Sequence, residues 1–179
     1  MAIRKVARLG HPVLRAPCRE LTRSEIRSHV ARRLVDDMRE TMAEYDGVGL
    51  AAPQVHESVR VAIIEFDPGD AERDLDAERT SFTVFNPRTT VLDPTPAGYW
   101  EGCLSVPGMR GFVERPRRVQ VDYLDESAKP ATVVAEGFLA TVFQHELDHL
   151  DGVLYVDRLA DPKLFAFNEE FNRYIAEGG

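Results

Sequence analysis

Cysteine is scarce in this sequence. Cys18 and Cys103 are the only two in 179 residues, too few for a disulfide scaffold and suggestive of a reducing compartment. Long apolar runs are missing as well. A run such as Val61-Ala62-Ile63-Ile64 falls far short of the ~20 residues that span a bilayer. The start, MAIRKVARLG, is basic but has no apolar stretch of the signal-peptide kind. Positive charge is in deficit: 22 Lys and Arg against 30 Asp and Glu give a net charge of −8, a poor match to nucleic-acid phosphates. Internal repeats, low-complexity tracts and Pro/Gly/Ser linkers are absent too. These absences exclude a membrane span, collagen, a disordered tail and a secreted disulfide knot. The 44% of apolar residues are enough, at this length, to bury roughly 70% of the unfolded surface. The expectation is one soluble, cytosolic, monomeric domain over 1–179, without membrane or direct nucleic-acid contact.

Thr22 and Glu25 read as a capping box before a helix whose apolar positions are Ile26, Val30, Leu34, Met38 and Met42. That helix should stop near Asp46-Gly47, with the glycine as left-handed cap. Residues 60–66 read as a buried strand, and 82–86 as another ending at Pro87. An acidic loop (67–81) separates the two. Val119, Val121 and Tyr123 alternate with polar residues, as in a half-buried antiparallel strand, and 131–135 is a further short strand. A second helix runs from about Phe138 to Leu150 and stops at Asp151-Gly152. Asp161-Pro162 should cap a third, with Leu164, Phe167, Phe171 and Ile175 on its inner face. Helices and strands that do not alternate predict an α+β fold with antiparallel pairing. Its short strands would pack around a central helix, with an N-terminal and a C-terminal helix beside them.

That central helix carries Gln144-His145-Glu146-Leu147-Asp148-His149. Four residues make about one turn, so His145 and His149 stack on one face and can hold one metal ion. Glu146 follows the first histidine, where a carboxylate can take a proton from water activated by the metal. Phe138 and Val142 share that stripe, which should face the interior. Two histidines leave a metal short of ligands, and Cys103, within Glu101-Gly102-Cys103-Leu104-Ser105, is the leading third candidate. Cys18 reads as structural, and His11, His29 and His56 have no metal-binding context. A third unusual segment is Gly47-Val48-Gly49-Leu50-Ala51-Ala52-Pro53-Gln54. Its glycines permit close backbone approach, and Gln54 needs a polar partner if buried.

Taken together and in order, these three segments resemble the signature segments of the peptide deformylase family. The start, Leu9-Gly10-His11-Pro12-Val13-Leu14-Arg15, is similar to that family's N-terminal segment. The resemblance runs from about Ile3 to Arg158. It implies a metal-dependent hydrolase that removes the N-formyl group from the initiator methionine of nascent polypeptides, releasing formate. It also implies that Cys103, His145 and His149 bind one divalent ion, Fe(2+), with Zn(2+), Ni(2+) or Co(2+) as substitutes. By the same match Glu146 is the general base, and the Gln54 amide and Leu104 backbone N–H receive the oxyanion. Phe138, Val142, Val48 and Leu50 wall the methionine slot, and the peptide pairs along 47–49, which includes Gly49. Arg110 matches a position near the peptide path, and Glu101 and Arg115 look like a buried pair supporting the cysteine loop. Some relatives dock on the ribosome through a longer basic C-terminal helix. Here Lys163 and Arg173 face Glu169, Glu170 and Glu177, so a transient ribosome contact would need another surface.

Two alternatives stand beside this reading. A zinc endopeptidase uses the same helix but usually takes a later His or Glu as third ligand, and no histidine follows His149. A non-catalytic metal-binding homologue would be expected to lose Glu146 or Gln54, and both are present.

Overall fold

A computed structural model describes residues 2–66 and 80–176. Strands β1 (Gly49–Ala51), β2 (Val61–Phe66), β3 (Thr80–Cys103), β4 (Val106–Leu124) and β5 (Pro130–Glu136) lie side by side in chain order, every pair antiparallel. A sixth, β6 (Phe165–Phe167), adds to the tip of β4. Among the described residues four α-helices accompany them: α1 (Arg23–Ile26), α2 (His29–Glu44), α3 (Gly137–Leu150) and α4 (Asn168–Phe171). The fold is α+β and antiparallel as expected, and α3 packs against the first five strands.

β2 explains why residues 60–66 read as uniformly buried. Its side chains alternate between two apolar clusters: Val61 and Ile63 join α2 residues such as Leu34, Met38 and Met42 on one face. Ala62 and Ile64 join α3 residues such as Phe143 and Leu147 on the other. A strand covered on both faces has no polar side to display.

Several boundaries differ from the expectation. The two central strands are not short, at 24 and 19 residues. β3 does not end at Pro87, because the ladder shifts register between Phe85 and Arg88, and again near Asp93 and Pro96. Irregularities of this kind are where a strand tolerates proline. Asn86 sits at the first shift with φ 50°, and its side chain exchanges two hydrogen bonds with the Leu21 backbone. The Thr22/Glu25 capping box is present but starts only the single turn of α1; Ser28 then caps α2. Val30 consequently lies outside the core, 64% exposed. Steps of four overshoot a helical turn by about 40°, and the stripe that stays inward is Ala31, Leu34, Val35, Met38, Thr41 and Met42. The left-handed residue after α2 is Asp46, φ 53°, rather than Gly47.

Asp161 caps only a short 3-10 turn, Pro162–Leu164. The chain then extends as β6 before α4, so of the four proposed inner residues only Phe171 is buried. Pairing with Met109, Arg110 and Gly111 imposes that extended stretch. Of the predicted acidic loop, residues 67–79 lie outside the described residues, and Thr80 and Ser81 belong to β3. No described helix is long and apolar enough to cross a membrane.

The extended N-terminal segment ties the site together. Ala7 N–H donates to the Gln54 carbonyl and Leu9 N–H to the Ser105 carbonyl, both at 2.8 Å. One segment thereby holds the 47–54 loop and the hairpin between β3 and β4.

Candidate active site

The β3–β4 hairpin closes through a two-residue turn, Leu104-Ser105, with Cys103 paired to Val106. Cys103 is thus delivered at a hairpin tip, facing α3. Its Sγ stands 3.3 Å from His149 Nε2, and the ligand atoms of Cys103, His145 and His149 all lie within 4.8 Å of one another. No other such group of three occurs among the described residues. Cys18 is buried in the core, His29 opens α2, and His11 and His56 pack edge to face on each other.

A run of ion pairs orients the first histidine. His145 Nδ1 donates to Glu101 Oε2 at 2.8 Å, which leaves Nε2 for a ligand. Arg115 holds Glu101 in a two-point pair, 2.6 and 2.9 Å, and gives a third bond to Asp148 at 2.7 Å. Arg158 closes the run on Asp148 from the surface side. Burial works against the Glu101 carboxylate, but the bonds from Arg115 and His145 hold its pKa below the usual range. Tyr155 stacks on the His145 ring at 5.9 Å. Glu101 and Arg115 were legible as a pair. Asp148, Arg158 and Tyr155 were missed, although a buried guanidinium with five donors calls for more than one acceptor. Glu101→Gln keeps the shape and removes the charge, so metal affinity should fall about 10- to 100-fold, measured by competition with a chelator. Unchanged affinity would leave Glu101 a packing residue.

Glu146 is buried, with Oε2 lacking any partner. Burial pushes its carboxyl up to about 7, a value suited to exchanging protons near neutrality. Burial, and then the neighbouring His145, hold the His149 imidazole well below its usual pKa, which favours the neutral form that a metal needs. Gly49 is required here: a Cβ on it would stand 2.5 Å from Glu146 Oε1. Gln54 is 1% exposed and its amide orientation is settled by its neighbours. Oε1 accepts from Ala51 N–H at 2.8 Å, and Nε2 lies 3.2 Å from Ser105 Oγ and 3.5 Å from Cys103 Sγ. The donor end therefore faces the cysteine. Ser105, fully buried, belongs to the Glu101–Ser105 segment, but its role as partner of Gln54 was not read from the sequence.

Cys103, His145, Glu146 and Gln54 open into one cavity of about 710 Å³. Val48, Gly49, Leu104, Arg110, Phe138 and Val142 all line it. Arg110 is held by Asn168, at 2.9 Å, and by the Phe171 ring, 4.4 Å below its guanidinium. Leu50 departs from its expected place: its side chain is fully buried in the α2 cluster and is no part of the cavity wall. Val48 precedes β1 (Gly49–Ala51), so strand alternation does not tie its side chain to the face that Leu50 takes.

The donor set fits a metal. One thiolate and two imidazoles suit a borderline or soft divalent ion, and three protein ligands leave a further position open, the arrangement of a catalytic site.

Comparison with known proteins agrees with this geometry. The family model for polypeptide deformylase matches residues 3–164. A peptide deformylase of Leptospira biflexa is 43% identical over 172 residues, covering 96% of each chain. Among solved structures, the class I type b peptide deformylase of Acinetobacter baumannii bound to Met-Ala-Ser has a TM-score of 0.80 at 37% identity, over 88% of this chain and 99% of that one. The peptide deformylase of Thermotoga maritima has a TM-score of 0.78 at 35% identity, over 90% of this chain and 100% of that one. The match spans the cysteine hairpin, the 47–54 loop and the histidine helix alike, and the chain belongs to the peptide deformylase family of metal-dependent hydrolases, which remove N-formyl groups from nascent peptides.

Proposed function

We propose that Cys103, His145 and His149 hold one ferrous ion, replaceable by zinc, nickel or cobalt, and that Glu146, Gln54 and Leu104 act on a formyl-methionyl peptide beside it. The observation that carries the reading is the gathering of three ligand atoms, two of whose residues, Cys103 and His145, line one cavity with Glu146, whose Oε2 is unpartnered. An ion held there supplies positive charge that acidifies water and polarises a carbonyl oxygen. Glu146 accepts the proton of the attacking water as oxygen adds to the formyl carbon. The Gln54 amide and the Leu104 backbone N–H donate to the oxyanion so formed. Glu146 then returns the proton to the leaving nitrogen as the C–N bond breaks, giving formate and a free amino terminus. Glu101 and Arg115 keep His145 in its ligating orientation.

Phe138, Val142 and Val48 form the apolar walls for the methionine side chain. β1 is the edge strand of the sheet, so the peptide backbone can add along residues 47–49 as a further strand, with Arg110 beside its path. The relative bound to Met-Ala-Ser supports a methionyl peptide as the occupant. By this reading the reaction occurs in the cytoplasm on nascent chains, with a transient ribosome contact. The zinc endopeptidase reading receives no support from the ligand set, which takes its third member from Cys103 rather than from a later residue.

The test is formate release from formyl-Met-Ala-Ser by protein purified without oxygen, since a thiolate beside ferrous iron is prone to oxidation. Release by the iron-loaded protein, abolished by a chelator and regained on adding ferrous iron, is the expected result. Fully metallated protein that releases no formate would overturn the reading.

A further inference from the structure

Thr141 stands in α3, one turn before His145, and forms part of the wall of the active-site cavity. Its side chain is 3% exposed and its hydroxyl has no hydrogen-bond partner. Among the described residues only two other buried side-chain atoms share that state, Glu146 Oε2 and His149 Nδ1. Both belong to the groups assigned above to proton transfer and metal binding. A helical threonine commonly satisfies its hydroxyl on a carbonyl one turn back, and Thr141 makes no such bond. Its neighbours in the wall, Phe138, Val142 and Val48, offer no side-chain acceptor. An unmade hydrogen bond in a buried site is unfavourable, and rotation about Cα–Cβ lets a threonine exchange the positions of its hydroxyl and methyl. As placed, the hydroxyl oxygen is closed off from the cavity as well, so it meets a ligand's acceptor atom only when that rotation turns it toward the cavity.

We propose that Thr141 is a specificity-determining residue, its hydroxyl donating to the thioether sulfur of the substrate's methionine. The proposal rests on the reading of this cavity as the formyl-methionine pocket. Apolar walls read size and shape, and cannot strongly separate sulfur from a methylene of the same place and volume. A hydroxyl can, because sulfur is a weak acceptor and a methylene is none. With norleucine in the slot the hydroxyl stays unpaired.

The experiment compares kcat/KM for formyl-Met-Ala-Ser and formyl-norleucyl-Ala-Ser, using metal-loaded wild type, Thr141→Val and Thr141→Ser. Wild type should prefer methionine by about twofold to tenfold, the range one neutral hydrogen bond supplies. Thr141→Val, equal in shape, should bring the ratio close to one, with the loss on the methionine peptide and expressed in KM. Thr141→Ser keeps the hydroxyl and should keep the preference. An equal ratio in wild type and Thr141→Val would overturn the proposal. So would a Thr141→Val protein whose only change is a higher melting temperature, the mark of a core hydroxyl with no ligand. Formate from neither peptide with metallated wild type would overturn the underlying reading, and the proposal with it.

Discussion

Replacing Glu146 by alanine should lower kcat/KM for a formyl-methionyl tripeptide by about 10²- to 10⁴-fold, the contribution of a positioned general acid–base, while one metal ion per chain stays bound. The two halves of that result come from different atoms. The ligand atoms belong to Cys103, His145 and His149, so removing the carboxylate leaves the ion's protein ligands in place. The carboxylate itself is placed with little freedom. β1 passes so close that a Cβ at position 49 would stand 2.5 Å from Glu146 Oε1 and displace it, and Glu146 is 4% exposed. Burial raises its pKa to about 7, near the pH at which it must take and return a proton. Formate release and metal content measured on the same sample check both halves. Near-normal turnover would end the general-base assignment, and a metal-free variant would move Glu146 into the structural support of the ion.

Gln54→Glu should cost about 10²- to 10³-fold in kcat, the loss found when one donor to an oxyanion is removed. The choice of glutamate matters. Gln54 Oε1 accepts from the buried Ala51 N–H at 2.8 Å, and an alanine there would leave that donor unpaired, at a cost of about 1–3 kcal/mol in stability. An ionised glutamate keeps the acceptor for Ala51, removes the Nε2 donors that face Ser105 and Cys103, and adds a negative charge that further opposes an oxyanion. A donor used only by the transition state lowers kcat and kcat/KM together and leaves KM alone. Single-substrate kinetics on formyl-Met-Ala-Ser would separate the cases. A rise in KM at constant kcat would instead make Gln54 a ground-state binding residue.

The C-terminal segment marks the limit of pattern reading. Leu164, Phe167, Phe171 and Ile175 have helical spacing, yet Phe165–Phe167 is a strand because the edge of β4 offers Met109–Gly111 for pairing. At Gly111 a Cβ would stand 2.5 Å from Leu159 Cδ2, a closeness that no local pattern announces. The opposite holds for α3, whose bounds and buried stripe follow from its own residues. Its C-terminal stop at Gly152, φ 76°, is a local conformational requirement that glycine meets.

By itself, then, the sequence determined what depends on neighbours along the chain: extended stretches at 60–66, 82–86 and 131–135, the central helix, and the stacking of His145 over His149 with Glu146 beside them. Helical and strand periods are local geometry, so side-chain facing can be read from spacing alone. Tertiary structure alone decided which distant groups meet. Cys103 reaches His149 from 46 positions away and Glu101 reaches His145 from 44, because a long hairpin folds back over α3. It also decided that Asp148 and Arg158 complete the support of Arg115, that Gln54 turns its donor end toward Cys103 Sγ, that Leu50 leaves the pocket for the core, and that the Thr141 hydroxyl stands unpaired. Each of these is a matter of which surfaces pack together, and packing is set by the whole chain.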